Sequence, residues 1–427
     1  MEAPDQRSAG RRLVIPRAEV LAVGEETGLL ATTVEKDYAL GWVLFAIAGH
    51  AELGRWYFKG GTCLKKCFFD TYRFSEDLDF TVPHDVPYDP ESIRTGLLAA
   101  AEWVRDQAGL EFPAEGVEIE ESVNKRGQKT YQARMTFVGP LQLARARRQR
   151  IRFDLTRDEL VVDPAELRDV FHGYSDAPDP LPRIRCYSLG EILAEKVRAL
   201  FERSGRARDV YDVVNVGRNL RTELSPAAIR SLASQKFEFK TLDPPSPGPI
   251  LARVDADVLA SDWENALRHQ LPVLPPVGEF LAALREVLEW LLGVEPARPV
   301  LVPVPGGKDE AAVPLVRFAR PLAARAHGRG APARAGTWPE SVYGSRMDRV
   351  RYAARNRLLA RVTCHEVTRL VEPYSLRMPK TGNLLLYVFE VERGLGPGEG
   401  VKAFKVAELG DVQVTERSFQ PRFLVEL

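Results

Sequence analysis

The residues that invite chemistry first are Asp77-Leu78-Asp79-Phe80, at the end of FKGGTCLKKCFFDTYRFSEDLDF. Read as a strand through Val82, the stretch alternates. Leu78, Phe80 and Val82 turn toward a core, while Asp77, Asp79 and Thr81 share the other face. Carboxylates at i and i+2 stand roughly 7 Å apart along the backbone, so their side chains can converge on divalent ions. Ions about 3.5–4 Å apart, bridged by carboxylates, steer the attacking and leaving oxygens of a phosphoryl transfer. Such a site usually takes a third acid. Ile151-Arg152-Phe153-Asp154-Leu155 supplies one, with Asp154 opposite an apolar side made by Ile151, Phe153 and Leu155. A solvated strand face also reads Asp-x-Asp, so the surrounding residues must decide.

Gly60-Gly61-Thr62 follows a short apolar strand, Trp56-Tyr57-Phe58, and precedes a helix with Leu64, Cys67 and Phe68 on one face. Glycines let backbone N–H groups approach a phosphate, and a helix N-terminus favours the anion. Thr62 or Ser75 adds a hydroxyl donor; the alternative is a plain turn. Further on, Ser188-Leu189-Gly190-Glu191 is a capping box that opens a helix reading ILAEKVRALFER. Lys196 falls on that helix's apolar stripe, beside Leu189, Ile192, Leu193, Val197, Leu200 and Phe201. Either it snorkels along the edge of the stripe, or it points into a cleft and neutralises a phosphate. Arg208-Asp209-Val210-Tyr211-Asp212 opens the next helix, where acids are also favoured as partners of the helix dipole.

The elements that must position these groups are legible in outline. Residues 18–50 read as helical, with Thr33 as an N-cap ahead of the strongly apolar VEKDYALGWVLFAIAG, and pieces of strand and helix alternate from Trp56 to about Thr156. Within VNKRGQKTYQARMTF a hairpin turns at Arg126-Gly127. Residues 187–295 are mainly helical. Glu295–Pro339, rich in Pro, Gly, Ala and Arg, reads as a linker. Met347–Leu427 carries a helix and then β-type runs such as NLLLYVFEV and VKAFKVAEL.

Bulk composition narrows the partners. With 427 residues, 45 % apolar and 28 % charged, the chain has the make-up of a globular protein, and its zero formal net charge gives no global field for nucleic acid or membrane. Polyanion binding must be local. MEAPDQRSAGRR lacks an apolar leader core, and no run approaches the ~18 apolar residues of a membrane helix. The expected location is the cytoplasm. Cys63, Cys67, Cys186 and Cys364 form no C-x-x-C pair and the six histidines do not cluster near them, which argues for reduced thiols and against zinc or disulfides.

In order, KGGTCL, RFSEDLDF, IRFDLT, LAEKVRALFER and RDVYDV resemble the AbiEii/AbiGii-type nucleotidyltransferases, toxins of abortive-infection and type IV toxin–antitoxin systems with a polymerase-beta-like core. VEKDY looks like that family's N-terminal helix, and the resemblance spans roughly residues 20–295. It implies an α+β fold, with the N-terminal helix and core in 1–186, a helical part in 187–295 and a linker over 296–339. It implies a nucleoside triphosphate used with Mg²⁺ or Mn²⁺, an RNA acceptor such as the 3′ end of tRNA, and a companion antitoxin. By the same resemblance Asp77, Asp79 and Asp154 bind metal, Gly60, Gly61 and Lys196 hold the triphosphate, and Asp209 and Asp212 form the last acidic motif.

Residues 340–427 resemble a WYL-type module, a small β-barrel preceded by a helix, on RYAARNRLLARVTCHEVTRLVEPYSLR, the Leu384–Val388 strand and FKVAEL. Leu385-Leu386-Tyr387 stands where the name-giving Trp-Tyr-Leu would be. There Arg346, Arg349, Arg351, Arg355, Arg357 and Arg361, with Tyr352, His365 and Tyr374, offer a seat for a nucleotide or nucleic acid, or else form a salt-bridged helix face. Two other functions fit the same residues: a kinase moving a γ-phosphoryl group to a protein hydroxyl, and a sensor that binds without catalysing.

Overall fold

The computed structural model describes residues 14–69, 73–221, 223–293, 346–378 and 383–427, so the linker expected over 296–339 lies outside the described residues. The chain divides into two compact units: Met1–Asp70 with Phe74–Ser188, and Thr71–Arg73 with Leu189–Leu427.

The first unit begins with α1 (Arg17–Thr27) and α2 (Ala31–Gly49). The helical reading of 18–50 thus holds as two helices, and the cap expected at Thr33 is corrected to Leu30. Gly28, at φ 70°, takes the left-handed conformation that ends helices, and Thr33 lies inside α2. From Thr33 to Ile47 every residue of α2 is buried. An apolar sequence explains most of that; the polar VEKDY residues need partners, and each has one. Glu35 accepts from the Leu141 N–H at 2.6 Å and from Gln149 at 3.0 Å, Lys36 pairs with Glu76 at 3.0 Å, Asp37 with Lys66 at 2.8 Å, and the Tyr38 hydroxyl donates to Asp176 at 2.7 Å.

After α2 come β1 (Tyr57–Lys59), α3 (Gly60–Cys63), β2 (Asp77–Thr81), α4 (Pro90–Ala108), β3 (Val117–Val123), β4 (Lys129–Thr136), β5 (Arg150–Thr156), β6 (Glu166–Asp169) and β7 (Arg183–Cys186). Among the described residues the strands form one seven-stranded sheet in the order β3-β4-β5-β2-β1-β7-β6. The β2–β5 and β1–β7 pairs are parallel, the others antiparallel. The β3–β4 hairpin turns at Arg126-Gly127 as expected, with Gly127 at φ 75°. Phe58, Leu78, Phe80, Ile151, Phe153 and Leu155 are at most 1 % exposed, and Phe58 packs on Phe80 with ring centroids 5.1 Å apart. The alternation read from sequence is thus the one the sheet uses.

The second unit runs through α5 (Leu189–Glu202), α6 (Ala207–Asn219), α7 (Pro226–Phe239), α8 (Pro247–Leu251), α9 (Ala256–Leu267), α10 (Val277–Leu292) and α11 (Arg346–Arg355). Glu191, from the sequence's capping box, reaches Lys236 of α7 at 2.7 Å, and both are buried. Tyr211 of α6 stacks on Phe280 of α10 at 5.2 Å. Then come β8 (Leu358–Cys364), β9 (Val367–Arg377), β10 (Leu385–Arg393), β11 (Gly396–Lys405) and β12 (Leu409–Ser418). The small barrel expected here is corrected to an open antiparallel sheet, β11-β10-β9-β8-β12. Closing a sheet requires its two edge strands to pair. Here β11 pairs with β10 and β12 with β8, while α11 packs against β8, β9 and β12.

Candidate active site

The first unit's site is a matter of register. β2 and β5 pair in parallel with Asp79 opposite Asp154 and Asp77 opposite Arg152, and β1 places Lys59 opposite Asp79. Registered residues on strands about 4.8 Å apart project from the same face. Lys59, Asp79 and Asp154 therefore form one row, which β4 extends with Gln132. Asp77 and Arg152 form the next row. The three aspartates are half-buried, and their strand neighbours Leu78, Phe80 and Phe153 fill the opposite face. Three carboxylates gathered on one face are hard oxygen donors of the kind that suits Mg²⁺ or Mn²⁺.

The glycine turn is fitted to this row. Gly60 sits at φ 79°, and a Cβ built there would run into Asp79 Oδ2. Only glycine lets the backbone pass so close to the carboxylate. Gly61 is buried in the first turn of α3. Thr62 is fully buried and its hydroxyl donates to the Asp77 carbonyl at 2.5 Å, which ties the turn to the acidic strand. Ser75 is half-buried, two residues ahead of Asp77. Glu76, next to Asp77, is the partner of Lys36 from α2.

Lys196, Asp209 and Asp212 come together in the second unit. Lys196 projects from α5 to within 2.9 Å of Asp209 and 3.0 Å of Asp212, both from the start of α6. Asp212 also receives two parallel hydrogen bonds from Arg73, at 2.7 and 2.8 Å, and Arg73 donates to Gln270 at 2.9 Å. Asp212 is 0 % and Arg73 2 % exposed, so one carboxylate sits in the core between two cations. Burial by itself would raise the Asp212 carboxyl's pKa, but Arg73 and then Lys196 outweigh it and hold the group well below the usual carboxylate range. Burial likewise pulls the Lys196 ammonium down, and Asp209 and Asp212 overcome it, leaving its pKa raised. The arrangement keeps Lys196 charged and fixed in direction. The inward lysine of the sequence reading is met by protein anions.

Sequence reasoning passed over several groups. Lys59 immediately precedes the glycines and is 6 % exposed, with Nζ 5.6 Å from the Tyr187 ring centroid. Arg73 lies inside the quoted RFSEDLDF stretch. The run Arg145-Ala146-Arg147-Arg148-Gln149-Arg150-Ile151-Arg152 leads straight into Asp154, and Arg145, Arg147, Arg150 and Arg152 are exposed. Strand alternation alone puts Arg150 and Arg152 on the face of Asp154.

Most arginines of the 346–361 segment have partners in the second unit. Arg346 donates to the Leu409 carbonyl, Arg349 to that of Val412 at 3.1 Å, Arg357 to that of Ala354 at 2.6 Å, and Arg351 pairs with Asp348 at 2.9 Å. Arg355 is half-buried and Arg361 exposed. Tyr352 and Tyr374 are 5 % and 0 % exposed, with hydroxyls on the Val273 carbonyl and Glu372, which withdraws both from base stacking. His365 is exposed beside Glu408 at 3.4 Å.

A mixed sheet carrying a glycine turn and three aspartates, followed by a helical part with a lysine–aspartate cluster, is the build of a nucleotidyltransferase. The family model for the nucleotidyl transferase AbiEii toxin of type IV toxin–antitoxin systems matches residues 42–290, more than half of the chain. The protein belongs to that family. Its activity is nucleotidyl transfer from a nucleoside triphosphate, and its type IV setting implies an antitoxin partner. Among solved structures, the nucleotidyltransferase toxin MenT4 of Mycobacterium tuberculosis is similar at 23 % identity and a TM-score of 0.44, over 66 % of this chain and 91 % of that one. No curated protein matches. Among the described residues, no helix is long and apolar enough to cross a membrane.

Proposed function

We propose that the protein transfers a nucleoside monophosphate to the 3′ end of an RNA, of the tRNA class, in the cytoplasm, and that Asp77, Asp79 and Asp154 hold the Mg²⁺ or Mn²⁺ this requires. The observation that carries the reading is the register of Asp79 beside Asp154, with Asp77 one pleat along the same face. When bound, a divalent ion there neutralises charge developing on phosphoryl oxygens. The backbone of Gly60 and Gly61 receives the nucleotide's phosphates, while Thr62 holds the turn and Ser75 stays the second hydroxyl candidate. Lys196, aimed by Asp209 and Asp212, is the phosphate-binding cation of the second unit. The RNA's 3′ hydroxyl gives up its proton to solvent as its oxygen forms a bond to the α-phosphorus, the α–β bridging bond breaks, and pyrophosphate leaves. Support for a nucleic-acid acceptor comes from the exposed arginine run beside Asp154, a local polyanion surface on a chain of zero net charge.

The test is incubation of the purified protein with each α-labelled nucleotide and total RNA, with and without Mg²⁺. Label should enter RNA only with the metal. Label in protein from γ-labelled nucleotide would instead assign kinase chemistry, and binding with no transfer would make the protein a sensor.

A further inference from the structure

Away from the acidic row, three of the chain's four cysteines meet in the first unit. The sulfurs of Cys63, Cys67 and Cys186 all lie within 4.8 Å of one another, and the residues are 0 %, 3 % and 0 % exposed. Cys63 closes α3. Cys67 follows in a π-helical turn over Leu64–Phe68, and Cys186 ends β7, opposite Phe58 of β1. Single buried cysteines are ordinary small core residues. Convergence of three, from a helix and a strand distant in sequence, is a ligand geometry. The π turn between the first two is a second indication, since such turns are rare and concentrate at functional sites.

We propose that Cys63, Cys67 and Cys186 bind one thiophilic d¹⁰ cation, zinc(II) or copper(I), as a buried trithiolate site. Metal–sulfur bonds of about 2.3 Å place sulfurs about 4 Å apart in the trigonal set that suits copper(I), and slightly closer in a tetrahedral set where zinc would take a fourth donor beside the three sulfurs. The cluster, already inside 4.8 Å, has little closing to do. Soft thiolates select these ions, whereas the carboxylates of β2 and β5 select hard ones, so the two sites do not compete. Arg168 donates to the Cys67 carbonyl at 3.1 Å and lies over the Phe68 ring at 4.1 Å, bringing positive charge beside the anionic cluster. On binding, each thiol still carrying a proton releases it to solvent, and nothing is oxidised. The cation would brace the helix that starts with the glycine turn. The site stands whatever the acceptor of nucleotidyl transfer proves to be.

Metal affinity of the full-length protein, purified in reductant, tests this directly. Zinc is titrated against a chromophoric chelator, and copper(I) likewise under anaerobic conditions. One equivalent of one of the two should bind. Cys67→Ser and Cys186→Ser should each weaken it by more than about a hundredfold, beyond the 10–100-fold that loss of an outer partner costs. Because a serine variant can fail to fold, X-ray absorption on the loaded wild-type protein is the second measurement, expected to show three sulfur neighbours. No stoichiometric binding of either ion, undiminished binding by well-folded variants, or a shell of nitrogen and oxygen alone would overturn the site.

Discussion

Two groups of aspartates in this molecule are built in opposite ways. Asp77, Asp79 and Asp154 lie half-buried on one sheet face, placed by strand register and a glycine that leaves room for a carboxylate. Asp209 and Asp212 are buried, at 2 % and 0 % exposure, Asp209 paired with Lys196 and Asp212 locked between Lys196 and Arg73. On the proposed function, the same residue type serves reactivity in one unit and rigidity in the other. Solvent access lets the first group meet a ligand, and complete charge pairing lets the second survive in the core.

The contrast is sharpest under mutation. Asp77→Asn and Asp79→Asn should cut transfer by about a thousandfold, the several kcal/mol a bound cation supplies, while the melting temperature stays close to wild type. Label incorporation and a thermal melt on the same samples check both halves. Asp212→Ala should do the reverse first: buried Arg73 loses its carboxylate while Lys196 keeps Asp209, and stability falls by about 3–5 kcal/mol in denaturant unfolding. If Asp212→Ala melts like wild type, the proposed division of labour fails.

Gly60→Ala comes next. The left-handed backbone costs an L-residue about 1–2 kcal/mol. The added methyl displaces Asp79, and a shift of about 1 Å lowers turnover about a hundredfold. Turnover should drop more than stability does. Arg150→Ala with Arg152→Ala should have the smallest effect, weakening RNA binding and reducing the slope of log affinity against log salt by about 1.4.

The buried cluster also fixes a pH window. Asp212 has a depressed pKa, so its stabilisation is full above the unfolded value of about 3.9 and disappears as pH falls through the folded one. Lys196 has a raised pKa, so its contribution is full below about 10.4 and disappears as pH rises through the folded value. Unfolding free energy from this cluster should therefore be flat from about pH 5 to 9.

Much of the acidic site was legible because strands alternate. Leu78 and Phe80 announce which face is left to Asp77 and Asp79, and Ile151 and Phe153 do the same for Asp154. The register joining them was not legible, since a parallel pair is set by everything packed between its strands. Lys59 escaped for that reason: nothing local says it stands opposite Asp79. The thiol cluster escaped because Cys186 is remote in sequence from Cys63 and Cys67. The second-unit barrel was carried over from the resemblance to a WYL-type module, and the residues themselves do not reveal whether the edge strands pair. Thr33 was a different error, a residue of the usual capping type that lies inside α2 while the helix starts after Leu30.

The VEKDY segment of α2 has a consequence for how the first unit comes apart. Its four polar side chains are fastened to Leu141 and Gln149, Glu76, Lys66 and Asp176, segments scattered along the chain. Peeling that helix away strands several buried charges at once, so partial fraying gains nothing. Amide hydrogens in α2 and in those distant segments should exchange through a single shared opening, and the acidic strand entered at Glu76 inherits that all-or-none protection.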